Sequence, residues 1–154
     1  MADTLKLWLD AECAEKIREH GVETYPHECC GALFGREGSS EEPRQIVDIF
    51  RLVNRRDDSP ENRFSVSTRD VLAAERDADA RGLSVVGWYH SHPDHPARPS
   101  EFDREHAWPW YSYIIVSVER GRAQEMRSWQ LREDRTAYVE EELKEVREAK
   151  EVQE

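Results

Sequence analysis

The stretch Leu83-Ser84-Val85-Val86-Gly87-Trp88-Tyr89-His90-Ser91-His92-Pro93, with Ser100 and Asp103 just beyond it, decides how this chain is read. Its apolar run, 83–89, reads as a buried strand. Residues two apart on a strand point to the same face, so His90 and His92 at its end can converge on one ion. Pro93 stops strand pairing, and Asp94-His95-Pro96-Ala97-Arg98-Pro99 is a stiff loop that carries the chain back toward the histidines. Ser100-Glu101-Phe102-Asp103 has the Ser-x-x-acid form of a helix N-cap. Asp103 then sits in the first helical turn, with its carboxylate free to reach the same metal.

Two histidines and one carboxylate leave the fourth tetrahedral position of Zn²⁺ open to water, which distinguishes a catalytic zinc from a closed structural one. Zinc lowers the pKa of water from about 15.7 to about 7 and polarises carbonyl oxygens. Hydrolysis of an amide then needs a base. The candidate is Glu28, an ionisable group at the mouth of the apolar run Cys29-Cys30-Gly31-Ala32-Leu33-Phe34. It could take a proton from water and deliver it to the leaving amine.

Glu28, His90-x-His92-Pro93, six further residues, Ser100, two more and Asp103 together resemble the JAMM (MPN-plus) metallopeptidase motif, with spacing intact at all five positions. The resemblance runs from the first strand to about residue 132. It implies that His90, His92 and Asp103 ligate one zinc ion, that Glu28 is general base and acid, and that Ser100 helps stabilise the tetrahedral oxyanion. The fold it implies is α/β, a single-domain MPN/JAMM fold with a twisted mixed β-sheet flanked by helices and the zinc at a strand-to-helix junction. Eukaryotic members commonly cleave ubiquitin isopeptide bonds. This chain has no large insertion after the motif helix and looks more like the compact prokaryotic members. These process small ubiquitin-like or sulfur-carrier proteins, cutting after a C-terminal Gly-Gly, and one branch releases cysteine from a sulfur-carrier adduct. A slot beside a strand-end zinc suits an extended backbone without side chains. Phe64, Trp88, Tyr89, Trp108 and Trp110 include candidates to line it.

Other readings compete. A His-x-His pair at a strand end is often only a polar rim, and Ser100 needs no catalytic role, since an N-cap serine is worth about 1 kcal/mol of helix stability. Asp94 and His95 fall outside the motif and read as solvated. Cys29 and Cys30 alternate across a strand, form no Cys-x-x-Cys pair and read as small buried hydrophobes. A non-catalytic module of the same fold would lack one or more of the five residues, and none is missing. A zinc deaminase would need His-x-Glu and Pro-Cys-x-x-Cys, and neither is present. A metal-storage protein using the histidine-rich loop would not depend on Glu28.

The 154 residues suffice for one hydrophobic core. No apolar stretch approaches the roughly 20 residues of a membrane span, and the first residues lack a signal peptide's pattern. Three cysteines, an odd number, suggest no disulfide framework and fit a reducing cytoplasm. A formal charge of −11 argues against nonspecific nucleic-acid binding and favours a partner with a basic patch. The oligomeric state stays open, a homodimer included.

Along the chain, a strand is expected over Leu5–Leu9, then a helix capped by Asp10 and running toward Gly21, and strands over Cys30–Gly35 and Gln45–Leu52. Asn54–Asn62 reads as an exposed loop and Arg63–Ser67 as a short extended piece. A helix capped by Thr68 runs to about Arg81 and stops at Gly82. Ser112–Val118 and Ala123–Leu131 read as a hairpin about Glu119-Arg120-Gly121-Arg122. The metallopeptidase domain is expected over 1–139. The charged segment 140–154 reads as a helical or frayed tail, supported by a Glu140/Lys144 pair.

Overall fold

A computed structural model describes residues 5–39, 41–54 and 67–147. The decisive stretch forms strand β4 (Ser84–Pro93). Around it stand β1 (Lys6–Asp10), β2 (Cys30–Arg36), β3 (Arg44–Leu52), β5 (Ser112–Glu119), β6 (Arg122–Leu131) and β7 (Tyr138–Val146). The helices are α1 (Ala11–Thr24), α2 (Thr68–Ala80) and α3 (Glu101–His106). Mixed α/β architecture and helices flanking a mixed sheet agree with the expectation, and the sheet goes one step further. It closes on itself in the order β1-β3-β2-β4-β5-β6-β7, with β7 returning to β1. Three pairings, β1 with β3, β4 with β5 and β1 with β7, are parallel and the rest antiparallel.

Both faces of the central strands are buried. Leu33, Val86, Tyr89, Ile114 and Val116 pack with Ile17 of α1 on one face, while Ala32 and Phe34 meet Ala74 and Ala78 of α2 on the other. The alternation of β4 is interrupted once. Leu33 pairs with Gly87 and Phe34 with Val85, so Val86 is an extra residue. A bulge of this kind changes which residues share a face. Val85 and Trp88 thus both turn toward α2, and Val86 and Tyr89 both turn toward the core under α1. Counting by twos from Trp88, His90 and His92 fall on the α2/α3 side.

Tyr89 is fully buried. Its hydroxyl lies 2.7 Å from Nδ1 of His20 on α1, and its ring covers Gly31. A Cβ on Gly31 would stand 2.2 Å from that ring, which explains the glycine. Burial lowers the His20 pKa to about 4, with the Arg51 charge adding to the effect, so the imidazole meets Tyr89 uncharged.

Several local expectations shift. α1 continues past Gly21 to Thr24. The cap of α2 is Ser67, whose Oγ accepts from the Asp70 N–H at 3.1 Å, one residue before the expected Thr68. Gly82, with φ of +72°, ends that helix as expected. The expected loop and extended piece lie outside the described residues, apart from Asn54 and Ser67.

The segment from residue 140 requires a correction. Its described part is neither helix nor frayed tail, because Tyr138–Val146 is β7, paired with β6 and β1, and the proposed boundary at 139/140 cuts through this strand. Leu143 packs against the main core. Glu141, only 2% exposed, accepts from Ser128 Oγ at 2.6 Å, Gln130 Nε2 at 2.8 Å and Ser112 Oγ at 3.1 Å. Glu140 pairs with Arg127 across the strands. Among the described residues no helix is long and apolar enough to cross a membrane.

Candidate active site

The end of β4 presents His90 and His92 on one face, with Nε2 atoms 3.1 Å apart. α3 brings the third group. Ser100 caps it reciprocally: its Oγ accepts from Asp103 N–H at 3.1 Å, and its own N–H donates to Asp103 Oδ2 at 2.8 Å. That capping box aims Oδ2 at the histidines, 3.4 Å from His90 Nε2 and 3.2 Å from His92 Nε2. Arg104 ties α3 to the β6–β7 connection through the Arg135 carbonyl at 2.9 Å.

The donor set suits a cation. His92 Nδ1 lies 2.9 Å from the Pro96 carbonyl, which can only accept, so Nδ1 carries the proton and the Nε2 lone pair of a neutral ring faces Asp103. Acceptor against acceptor at 3.2 Å is stable only around a metal ion or a shared proton. Ligand atoms 2.0–2.1 Å from a tetrahedral zinc lie roughly 3.3–3.4 Å from one another. The three separations here, 3.1, 3.2 and 3.4 Å, match that spacing. Burial lowers the His90 pKa and keeps its imidazole in the neutral, ligating form. For Asp103, burial alone would raise the pKa, but where a proton is shared with His90 and His92 in place of a metal, their charge and hydrogen bonds outweigh burial and hold the carboxyl far below its usual range.

Glu28 stands beside this group. It is 4% exposed, and its Oε1 has no hydrogen-bond partner among the described residues. Burial, with a smaller push from the Asp103 charge, raises its pKa to about 9. Its backbone is held on two sides. Asn54 Nδ2 donates to the Glu28 carbonyl at 3.1 Å, and the next N–H, that of Cys29, donates to Ser91 Oγ at 2.9 Å. Ser91, between the two histidines and fully buried, is thus the side chain that ties the start of β2 to the metal strand. The sequence reading missed it, and its only signal was its place inside His-x-His.

The cluster lies between two hollows. One, of about 310 Å³, is bordered by Glu28, His92 and Ser100 together with His95, Pro96 and Arg98. The other, of about 400 Å³, is reached by His90 and Asp103 and walled by Trp88, Phe102, Tyr111, Tyr113 and Tyr138. Of the five aromatics expected to line a slot, Trp88 and Trp108 do so. Tyr89 is in the core, Trp110 stacks under Arg44 at 4.4 Å, and Phe64 is outside the described residues. Tyr138 was missed because it precedes a segment read as a tail. Cys29 and Cys30 are buried free thiols, and burial pushes Cys29 up to about 12 and Cys30 higher still, in keeping with packing residues.

A family model described as prokaryotic homologs of the JAB domain matches residues 10–132. The desampylase of Haloferax volcanii is 30% identical over 119 residues, covering 74% of this chain and 82% of that protein. A Thermus thermophilus protein named as a probable TtuB-protein conjugate cleaving protease is 29% identical over 119 residues, 77% of this chain and 75% of its own. Among solved structures, a Desulfitobacterium hafniense protein superposes with a TM-score of 0.77 at 34% identity, covering 92% of this chain and 95% of that one.

Proposed function

Because the chain belongs to the prokaryotic JAB-domain family, we propose that it is a JAMM-type zinc metallopeptidase. It hydrolyses the peptide or isopeptide bond that follows the C-terminal Gly-Gly of a small ubiquitin-like or sulfur-carrier protein, and cysteine is among the groups it releases. The observation that carries this reading is the buried carboxyl of Glu28, whose Oε1 has no hydrogen-bond partner among the described residues, set beside three converging ligand atoms. A buried acid with no partner costs stability, and catalysis is the reason this family would keep one there. The names of the two relatives, a desampylase and a conjugate-cleaving protease, support the substrate class.

In this reading His90, His92 and Asp103 hold the zinc. Zinc, when bound, supplies Lewis acidity toward the scissile carbonyl and makes water more acidic. Glu28, buried beside these ligands, takes the proton of the attacking water and passes it to the leaving amine. Ser100 serves both helix and reaction. A hydroxyl has one donor and two acceptor positions. Its oxygen accepts from Asp103 N–H, which leaves the hydroxyl hydrogen free to meet a developing oxyanion. The two hollows on either side of the cluster suit an extended chain laid across it. Buried free thiols are consistent with a cytoplasmic setting.

The test is to incubate the zinc-loaded protein with a small sulfur-carrier protein extended past its Gly-Gly by cysteine or a short peptide, and to follow intact mass. Loss of the extension alone, abolished in Glu28→Gln while zinc content stays at one per chain, is the expected result. Equal turnover in Glu28→Gln would remove Glu28 from the chemistry. An uncleaved carrier with zinc present would favour an interaction module of the same fold.

A further inference from the structure

The loop Asp94–Pro99 has no regular secondary structure, yet it is held by β5, β6 and the turn between them, and by Tyr25 at the end of α1. Asp94 accepts from Tyr25 Oη at 2.6 Å and from Arg120 N–H at 2.8 Å, and its own N–H donates to the Val118 carbonyl at 2.8 Å. The His95 carbonyl accepts from Ser117 Oγ at 2.6 Å. The Ala97 N–H donates to Glu125 Oε1 at 3.3 Å, and the Ala97 carbonyl accepts from Trp129 Nε1 at 3.0 Å. Ala97 itself is fully buried.

One peptide unit matters most. The Pro96 carbonyl and the Ala97 N–H belong to the same planar group, so fixing the direction of one fixes the other. Glu125 takes the N–H, His92 Nδ1 donates to the carbonyl, and Trp129 pins the carbonyl that follows. We infer that Glu125 and Trp129 on β6 are positioning residues for His92. Through the Pro96–Ala97 peptide they set the tautomer and tilt with which its Nε2 meets a metal. This extends the proposed zinc site and rests on that reading. Neither residue touches the metal cluster or belongs to the motif, and the strand that carries them lies far along the chain.

Partners that orient a metal-bound histidine commonly control affinity by 10- to 100-fold. The experiment measures zinc affinity by competition with a chromogenic chelator, and records the visible absorption of the Co²⁺-substituted protein. The variants are Trp129→Phe, which keeps a ring but loses the N–H, Glu125→Ala, which removes the acceptor, and Glu125→Gln, which keeps one. Trp129→Phe and Glu125→Ala are expected to weaken zinc binding about tenfold or more and to shift the cobalt bands, with Glu125→Gln close to the parent. Zinc affinity and cobalt spectra equal to the parent in both Trp129→Phe and Glu125→Ala would overturn the inference and leave the zinc site standing. A parent protein that binds neither metal would overturn both. Glu125 is exposed, so the alanine and glutamine pair decides the matter even where Trp129→Phe fails to fold.

Discussion

Glu28 concentrates the cost and the use of this site in one carboxyl. In the metal-free protein its pKa stands at about 9 against an ordinary 4.5, chiefly through burial. Below about 4.5 folded and unfolded chains both carry the proton. Above it the unfolded chain releases the proton while the folded chain keeps it, so this residue's contribution to stability falls as pH rises toward about 9. Thermal unfolding of metal-free protein between pH 5 and about 9 should therefore show a decline that Glu28→Gln removes. Comparing the two proteins cancels His20, whose pKa of about 4 acts in the opposite sense, withdrawing stability as pH falls below its ordinary 6.5. A second residue-scale test is Gly31→Ala. Its methyl would enter the Tyr89 ring, itself pinned by His20, and overpacking of this kind costs about 1–3 kcal/mol. A lowered midpoint in denaturant is the expected readout, and no loss would mean that the ring can move.

At the scale of elements, β7 is held by a buried charge. Glu141 accepts from Ser112, Ser128 and Gln130, and Arg44, also buried, donates to the same Ser112 Oγ at 2.8 Å. Glu141→Ala strands these neutral donors and should cost at least about 1–3 kcal/mol, and Glu141→Gln, which keeps an acceptor, should cost less; urea unfolding distinguishes them. This strand also shows where the sequence stopped being legible. The metal cluster could be read because its parts are local: two histidines at strand spacing, a capping box eight residues on, and one acid at a strand mouth. Residues 140–146 carry charges at helical spacing, and what makes them a strand is a set of hydroxyl and amide donors on β5 and β6, remote in sequence. The bulge at Val86 was hidden for the same reason, since an extra residue is defined only against the partner strand. Trp129 and Glu125 gave no local sign of reaching the motif loop.

At the scale of the whole molecule, a ligand that binds only the folded chain stabilises it by mass action. Zinc in about hundredfold excess over its dissociation constant should add ~2.7 kcal/mol, a rise of roughly 5–10 °C in a domain of this size. A chelator should reverse it, and Asp103→Ala should show a much smaller rise by calorimetry. The net charge of −11 sets a second global property, since encounter with a basic partner slows as salt screens the field. The closed sheet has a further consequence, one for how the chain reaches its structure. β1, the first described strand to be synthesised, sits between β3 and β7, and β7 is the last. Its neighbour on one side arrives only when residues 138–146 are available. Pairing over that sequence separation is slow, because the loop must close before any contact rewards it. Until it does, β1 and β6 each present an unpaired edge, the feature that invites strands of other chains. Biogenesis of this protein is thus most exposed to aggregation in the interval between finishing β6 and docking β7.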